Sequence, residues 1–181
     1  MLKGKLVRLR SLELGDLERE YAWANDLEVT HYLSMRYPLS HADEESWLQG
    51  GPPNSFNQVR LGIETKDGVH IGNIGLHTAI VEDGHAELWI IIGDKTYWSK
   101  GFGADAITTL LRFAFHEMNL NRVYLYTHEA NARAVACYRT CGFVEEGRLR
   151  QHRFRHGQYW DVLLMGILRD EFEALHGGPS S

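Results

Sequence analysis

The residues best placed to do chemistry lie in three short stretches. In Trp98-Ser99-Lys100-Gly101-Phe102-Gly103-Ala104, two glycines fall between an isoleucine-rich run, Ala86 to Ile92, and a long amphipathic one. Such a turn can present main-chain N–H groups to an anion, because glycine allows close approach and a helix beginning there adds roughly half a positive charge. A pyrophosphate-bearing ligand is the natural occupant; the plainer alternative is a tight turn into a helix. The second stretch runs from Asn131-Ala132-Arg133-Ala134 through Tyr138 to Gly142-Phe143. It offers a capping amide and a phenol that is protonated at neutral pH and can donate a proton. As pure structure it is a cap, a core tyrosine and a glycine stop. The third is Glu87, near the start of the isoleucine-rich run. Apolar neighbours would make its carboxylate a better proton acceptor; otherwise it is a solvated charge at a strand edge.

The elements that must position these groups follow from periodicity. Lys5 to Leu12 predicts a first strand, Leu14, Leu17, Tyr21 and Ala24 mark one apolar helix face, and a short helix is expected around Leu27 to Leu33. Ser40 with Asp43 forms a capping box that opens a helix to about Gln49, and Gly50-Gly51-Pro52-Pro53-Asn54 predicts a loop. Three strands follow, Val59 to Thr65, Val69 to Ala79 and Ala86 to Ile92, parted by the tight-turn pairs Asp67-Gly68 and Asp83-Gly84. This is an antiparallel meander. A helix from Gly101 to about Leu120, a strand Arg122 to Thr127 and a helix Ala132 to Cys141 come next. Two strands, Phe143 to Phe154 and Tyr159 to Ile167, hinge at His156-Gly157 before a short acidic helix. The order predicts an α+β fold.

Composition narrows the function. The chain has 181 residues, 44% hydrophobic and 24% charged, which predicts one domain over residues 1–181 with a continuous core. No run of ~20 apolar residues or secretory leader is visible, so a cytoplasmic protein without a membrane partner is expected. A net charge of −5 argues against nucleic acid as a partner. Cys137 and Cys141 are too few for a disulfide framework and read as reduced thiols. The ten histidines are scattered, and His152 and His156 sit in a strand-turn setting, so no metal is expected. Gly101-x-Gly103-x-x-Ala106 also fits a dinucleotide fingerprint, but residues 93–98 intervene after the strand and a meander precedes it, so an NAD-dependent oxidoreductase is the weaker reading.

Taken together, the two segments resemble the GNAT superfamily of acyl-CoA-dependent N-acetyltransferases, whose signatures are a Q/R-x-x-G-x-G/A loop and an N-x-x-S-x-x-x-Y-x-x-x-G-F segment. The likeness extends to Leu9-Arg10, Trp23-x-Asn25-Asp26, Ala86-Glu87-Leu88, Gly142-Phe143-Val144-Glu145-Glu146-Gly147 and Gly157-x-Tyr159-x-Asp161-x-x-x-Met165. The pattern is similar to the branch with ribosomal-protein alanine and spermidine N-acetyltransferases. Trp98 stands where the loop often has Gln or Arg, and Ala134 where the helix usually has Ser. Neither change touches the main-chain anion site.

The resemblance implies a sheet that is mostly antiparallel with one splayed parallel pair, and a coenzyme-binding core over about 85–143. It implies that acetyl-CoA is the co-substrate, its diphosphate held by residues 98–104 and its pantetheine arm by main chain near Ile90, Ile91 and Ile92. Asn131 and Arg133 would help to place it. Glu87, directly or through water, would take the proton of a primary amine, and Tyr138 would protonate the leaving thiolate in direct transfer within a ternary complex. A covalent route through Cys137 or Cys141 is the lesser alternative.

The expected partner is a cationic amine: a polyamine, an aminoglycoside or a protein N-terminus. Glu13, Asp16, Glu18, Glu20, Asp26, Glu28, Asp43, Glu44 and Glu45 would make the N-terminal helices electronegative against Arg19 and Arg36, unless that charge is simply solvated. Arg148, Arg150, Arg153 and Arg155, with His152 and His156, form a basic run that protects an edge strand or grips an acidic substrate group or the coenzyme 3'-phosphate. Acceptor identity and homo-oligomerisation are left open, as is a non-catalytic acyl-CoA-binding role.

Overall fold

A computed structural model describes residues 1–178 apart from Pro52 and Val81. Its centre is one eight-stranded sheet: β1 (Leu2–Lys3), β2 (Val7–Arg10), β3 (Val59–Thr65), β4 (His70–Ile80), β5 (His85–Ile92), β6 (Arg122–His128), β7 (Val144–Arg155) and β8 (Gln158–Leu168), in the order β1-β2-β3-β4-β5-β6-β8-β7. Every neighbouring pair is antiparallel except β5 and β6, which run parallel and need a crossover. That crossover contains α3 (Phe102–His116). The other helices are α1 (Leu17–Ala24), α2 (His41–Gly50), α4 (Ala132–Thr140) and α5 (Arg169–His176).

The core forms where α3 lies on the sheet. Ala106, Ile107, Leu110, Leu111, Ala114 and Phe115 recur at helical spacing and are all buried. They pack in one cluster with Leu9, Ile63, Ile74, Leu76, Val123, Leu125, Met165 and Ile167 from the sheet. The Asp105 carboxylate fixes the direction of α3. It accepts the amides of Lys5, Leu6 and Val7 at 2.9, 2.6 and 2.9 Å, tying the first turn of α3 to the start of β2. Because the amides of Lys5 and Leu6 serve a side chain, β2 begins at Val7 rather than at the predicted Lys5. A Cβ on Gly4 would sit 2.4 Å from the same carboxylate, so glycine is required there.

Most predicted elements stand within a residue or two of their expected ends. One does not. Residues 27–33 form a chain of turns instead of a short helix. The Asp26 carboxylate takes the amides of Glu28 and Val29, and the Thr30 hydroxyl donates to the Asp26 carbonyl at 2.9 Å. These short polar side chains compete with a helical ladder. The predicted helix to Leu120 ends at His116, where Met118 bonds back to Phe113 and Asn119 turns left-handed at φ 56°. Pro52, in the predicted loop, lies outside the described residues.

Candidate active site

The parallel pair creates an opening. Only His85, Ala86 and Glu87 pair with Arg122, Val123 and Tyr124; beyond them β5 is bonded only to β4, and β6 only to β8. Each strand therefore turns one row of main-chain N–H and C=O groups into the gap from Leu88 and Leu125 onward. The gap widens into an open cleft of about 1720 Å³, walled by Leu88 to Ile92 on one side and Tyr126, Thr127 and His128 on the other. Glu87 lies at the apex, the last residue of β5 before the strands part.

The glycine turn closes one end of this cleft. Ser99 and Gly101 both adopt left-handed backbone, at φ 56° and 86°. For the serine this costs about 1–2 kcal/mol, strain of the kind that concentrates at binding loops. Among the described residues, the amides of Ser99 to Ala104 meet no protein acceptor; the helical ladder starts with Asp105 bonding Gly101. The turn is anchored from behind. The Trp98 indole N–H donates to the Ile92 carbonyl at 2.7 Å, and the Arg133 guanidinium lies 3.5 Å from the centre of the Trp98 ring. Trp98, in place of the more usual Gln or Arg, thus serves as the post on which the turn leans. Gly103 lies where α3 meets α4 and β5, with Cys137 Sγ and Ile92 Cγ1 at 3.7 and 3.8 Å from the position of a Cβ.

Unpaired amides, two left-handed residues and a helix N-terminus in one concavity match what a diphosphate needs. Trp98, Ser99, Gly101, Gly103 and Ala104 line the cleft, as do Ile90, Ile91, Ile92, Asn131 and Arg133. Lys100 and Phe102 do not. The Phe102 ring packs edge-on against Tyr97 at 4.9 Å, which leaves only its main chain at the helix start.

From the other wall, α4 brings Tyr138. Asn131 Oδ1 accepts the Ala134 amide at 3.2 Å and caps this helix, its structural role, while Asn131 also faces the cleft. Tyr138 is buried, edge-on to Phe143 at 6.0 Å, and its hydroxyl bonds no protein group among the described residues. Burial pushes the phenol up, so it holds its proton throughout the neutral range. Cys137 and Cys141 are free thiols one turn apart; contact with Cys137 and burial push the Cys141 thiol up, which weakens it as a nucleophile.

Glu87 is not surrounded by apolar side chains as expected. Register places it directly opposite His77 on β4, with Oε2 3.3 Å from Nε2, and both residues line the cleft. His77 carries no motif; only its alternation with the buried Leu76 could have marked it as facing the same side.

The acidic N-terminal helices are less electronegative than their composition suggests. Lys95 pairs with Asp26 and Glu28 at 2.9 and 2.8 Å, and Arg10 pairs with Asp16 at 2.8 Å. Burial raises the Glu20 carboxyl from 4.5 to about 8, so it is largely uncharged at neutral pH. What these helices contribute is a mainly apolar recess of about 170 Å³ beside the cleft, walled by Trp23, Trp47, Trp89, Leu33 and Met35, with the buried Glu20 and Glu44 also in its lining.

The arginine run of β7 is divided. β7 is an edge strand, and Arg148 pairs with Glu129, Glu145 and Asp161. Arg155 instead reaches across the cleft mouth and donates to the carbonyls of Thr30, Leu33 and Met35 at 3.1, 2.7 and 2.5 Å, while His156 stacks on His31 at 4.6 Å. Sequence gives no sign of this clasp, because its acceptors are main-chain atoms about 120 residues away.

Residues 7–144 match the model of the acetyltransferase (GNAT) domain family. The chain belongs to the GNAT family. The spermidine N(1)-acetyltransferase of Vibrio cholerae is 32% identical over 164 residues, covering 91% of this chain and 94% of that protein. A putative ribosomal N-acetyltransferase of Bacillus subtilis, YdaF, is 32% identical over 177 residues, covering 92% and 93%. Among solved structures, spermidine N-acetyltransferase from Vibrio cholerae in complex with CoA and spermine superposes with a TM-score of 0.83 at 31% identity, over 92% of this chain and 98% of that one. This GNAT protein is thus an acyltransferase that uses acetyl-CoA to acetylate amines, and the oxidoreductase reading is set aside. Among the described residues, no helix is long and apolar enough to cross a membrane.

Proposed function

We propose that this GNAT enzyme acetylates a small cationic primary amine by direct transfer, with residues 98–104 cradling the coenzyme diphosphate and Glu87 and Tyr138 moving protons. The observation that carries this reading is the parting of β5 from β6 immediately after Glu87, with the unpaired amides of the glycine turn at the far end of the same cleft. Main chain from Ile90 to Ile92 faces the gap, where it can bond an amide-bearing arm and polarise a thioester carbonyl. Alkyl amines have a pKa of about 10.4, so an acceptor must deprotonate the nucleophile; Glu87 occupies the position where the arm would end. Tyr138, protonated and unbonded, supplies the proton for the thiolate. Residues 1–181 act as one catalytic domain, with coenzyme contacts concentrated over about 85–143.

A polyamine acceptor is supported by the names of the spermidine-acetylating relatives, and a protein N-terminus by that of the ribosomal one. The apolar recess and the neutralised acids favour an acceptor with short alkyl segments over an aminoglycoside. Thiol release should be measured across polyamines, aminoglycosides and ribosomal-protein N-terminal peptides, alongside thermal shift with acetyl-CoA. Acetyl-CoA at 100 times its Kd adds about 2.7 kcal/mol and should raise Tm by several degrees. A melting shift without thiol release from any amine would point to an acyl-CoA-binding module; no shift would overturn the coenzyme assignment.

A further inference from the structure

We propose that His77 is a positioning and proton-relay residue that acts through Glu87 and carries the surplus proton of each turnover to solvent. The proposal rests on the reading of Glu87 as the proton acceptor. Proton balance requires an exit. An ammonium substrate loses two protons on becoming an amide: one ends on the coenzyme thiol by way of Tyr138, and the other must leave the cleft. The carbon–sulfur bond breaks as the carbon–nitrogen bond forms; Tyr138 gives its proton to the thiolate and is restored by one of the two nitrogen protons, and Glu87 takes the other on its carboxylate. Before the next cycle Glu87 must be ionised again.

His77 is the group placed to do this. It is the cross-strand partner of Glu87, with Nε2 3.3 Å from Oε2, and its side chain is 41% exposed against 23% for Glu87. The pair therefore runs from the apex of the strand gap outward to water. An imidazole can accept on one nitrogen and release from the other, which a second carboxylate or an amide cannot do. The titratable and charged neighbours on the strands packed against it leave the route clear. On β6, Tyr124 lies beside Glu87 in register, its hydroxyl 3.5 Å from Thr78 Oγ1. On β5, the His85 ring packs at 5.8 Å against Tyr124. On β3, the Arg60 guanidinium donates to the carbonyls of Trp47 and Leu48.

The test uses the full-length enzyme, with the best amine from the thiol-release panel. In His77→Gln, which can still donate one hydrogen bond to Glu87 but cannot relay, kcat should fall at least tenfold and the profile of kcat/KM for the amine should lose an ionisation. In His77→Ala, added imidazole should restore turnover in proportion to its concentration. The acetyl-CoA melting shift serves as the fold control for both. The proposal is overturned if His77→Gln matches the wild type from pH 6 to 9, which would leave only a bond-donating role, or if imidazole has no effect on a folded His77→Ala. Full activity in Glu87→Gln is a different failure: it removes the reading of Glu87 itself, whatever the histidine variants show.

Discussion

At the scale of single residues, the clearest consequence of burial is Glu20. The residue is 6% exposed, Asn73 donates to Oε2 at 2.5 Å, and no hydrogen bond reaches Oε1. Burial raises its pKa from 4.5 to about 8, so between those values the folded state binds more protons than the unfolded one, and stability must fall as pH rises. The contribution is complete below about pH 4.5 and is lost as pH climbs through about 8. Glu20→Gln should therefore be more stable than the wild type at pH 9, by an upper limit of about 5 kcal/mol, and the gap should close toward pH 5. Melting temperature against pH for the two proteins checks the sign. Tyr138→Phe keeps the buried ring and deletes only the hydroxyl, so kcat should drop about 10²-fold while the acetyl-CoA melting shift stays within a degree or so of the wild type. Glu87→Gln should lower kcat about 10²-fold while leaving the acetyl-CoA melting shift in place. Rapid single-turnover measurements would separate both effects from product release.

At the scale of elements, the glycine turn depends on its neighbours. Arg133 comes from α4 yet stacks on Trp98, which in turn bonds the end of β5, so two elements hold one loop. Arg133→Ala should cost about 1 kcal/mol of stability and raise the acetyl-CoA KM roughly tenfold, with kcat for the amine much less affected. Legibility at this scale tracks how local the cause is. β3 is bounded as its composition predicts, because the Asp67-Gly68 turn stops it, and the Ser40–Asp43 box opens α2 as written. The turns at 27–33 defeat periodicity because side chains of Asp26 and Thr30 claim the backbone. The two-residue β1 carries too little pattern to be seen. The signature residues of the cleft were visible as motifs, whereas His77 becomes visible only through the register of β4 and β5.

At the scale of the whole molecule, the cleft is spanned by a clasp between distant parts of the chain. Arg155, at the tip of the β7–β8 hairpin, gathers three carbonyls from residues 30–35, the segment that walls both the cleft and its apolar recess. Arg155→Ala should speed amide hydrogen exchange over residues 29–36 and raise the KM for the amine several-fold, while lowering Tm by only a few degrees, since the core under α3 is untouched. Exchange that is unchanged in this segment would mean that the turns hold themselves. The interrupted pairing of β5 and β6 has a last consequence. Two facing strands with unfinished rungs form a slot lined by main-chain donors and acceptors. A guest whose own amides repeat along its length can stand in as the absent ninth strand. Loading the enzyme should then shield the gap-facing row of amides within residues 88–92 as strand addition does, while those already bonded to β4 stay as they were, and the sheet itself would register the arrival of its substrate.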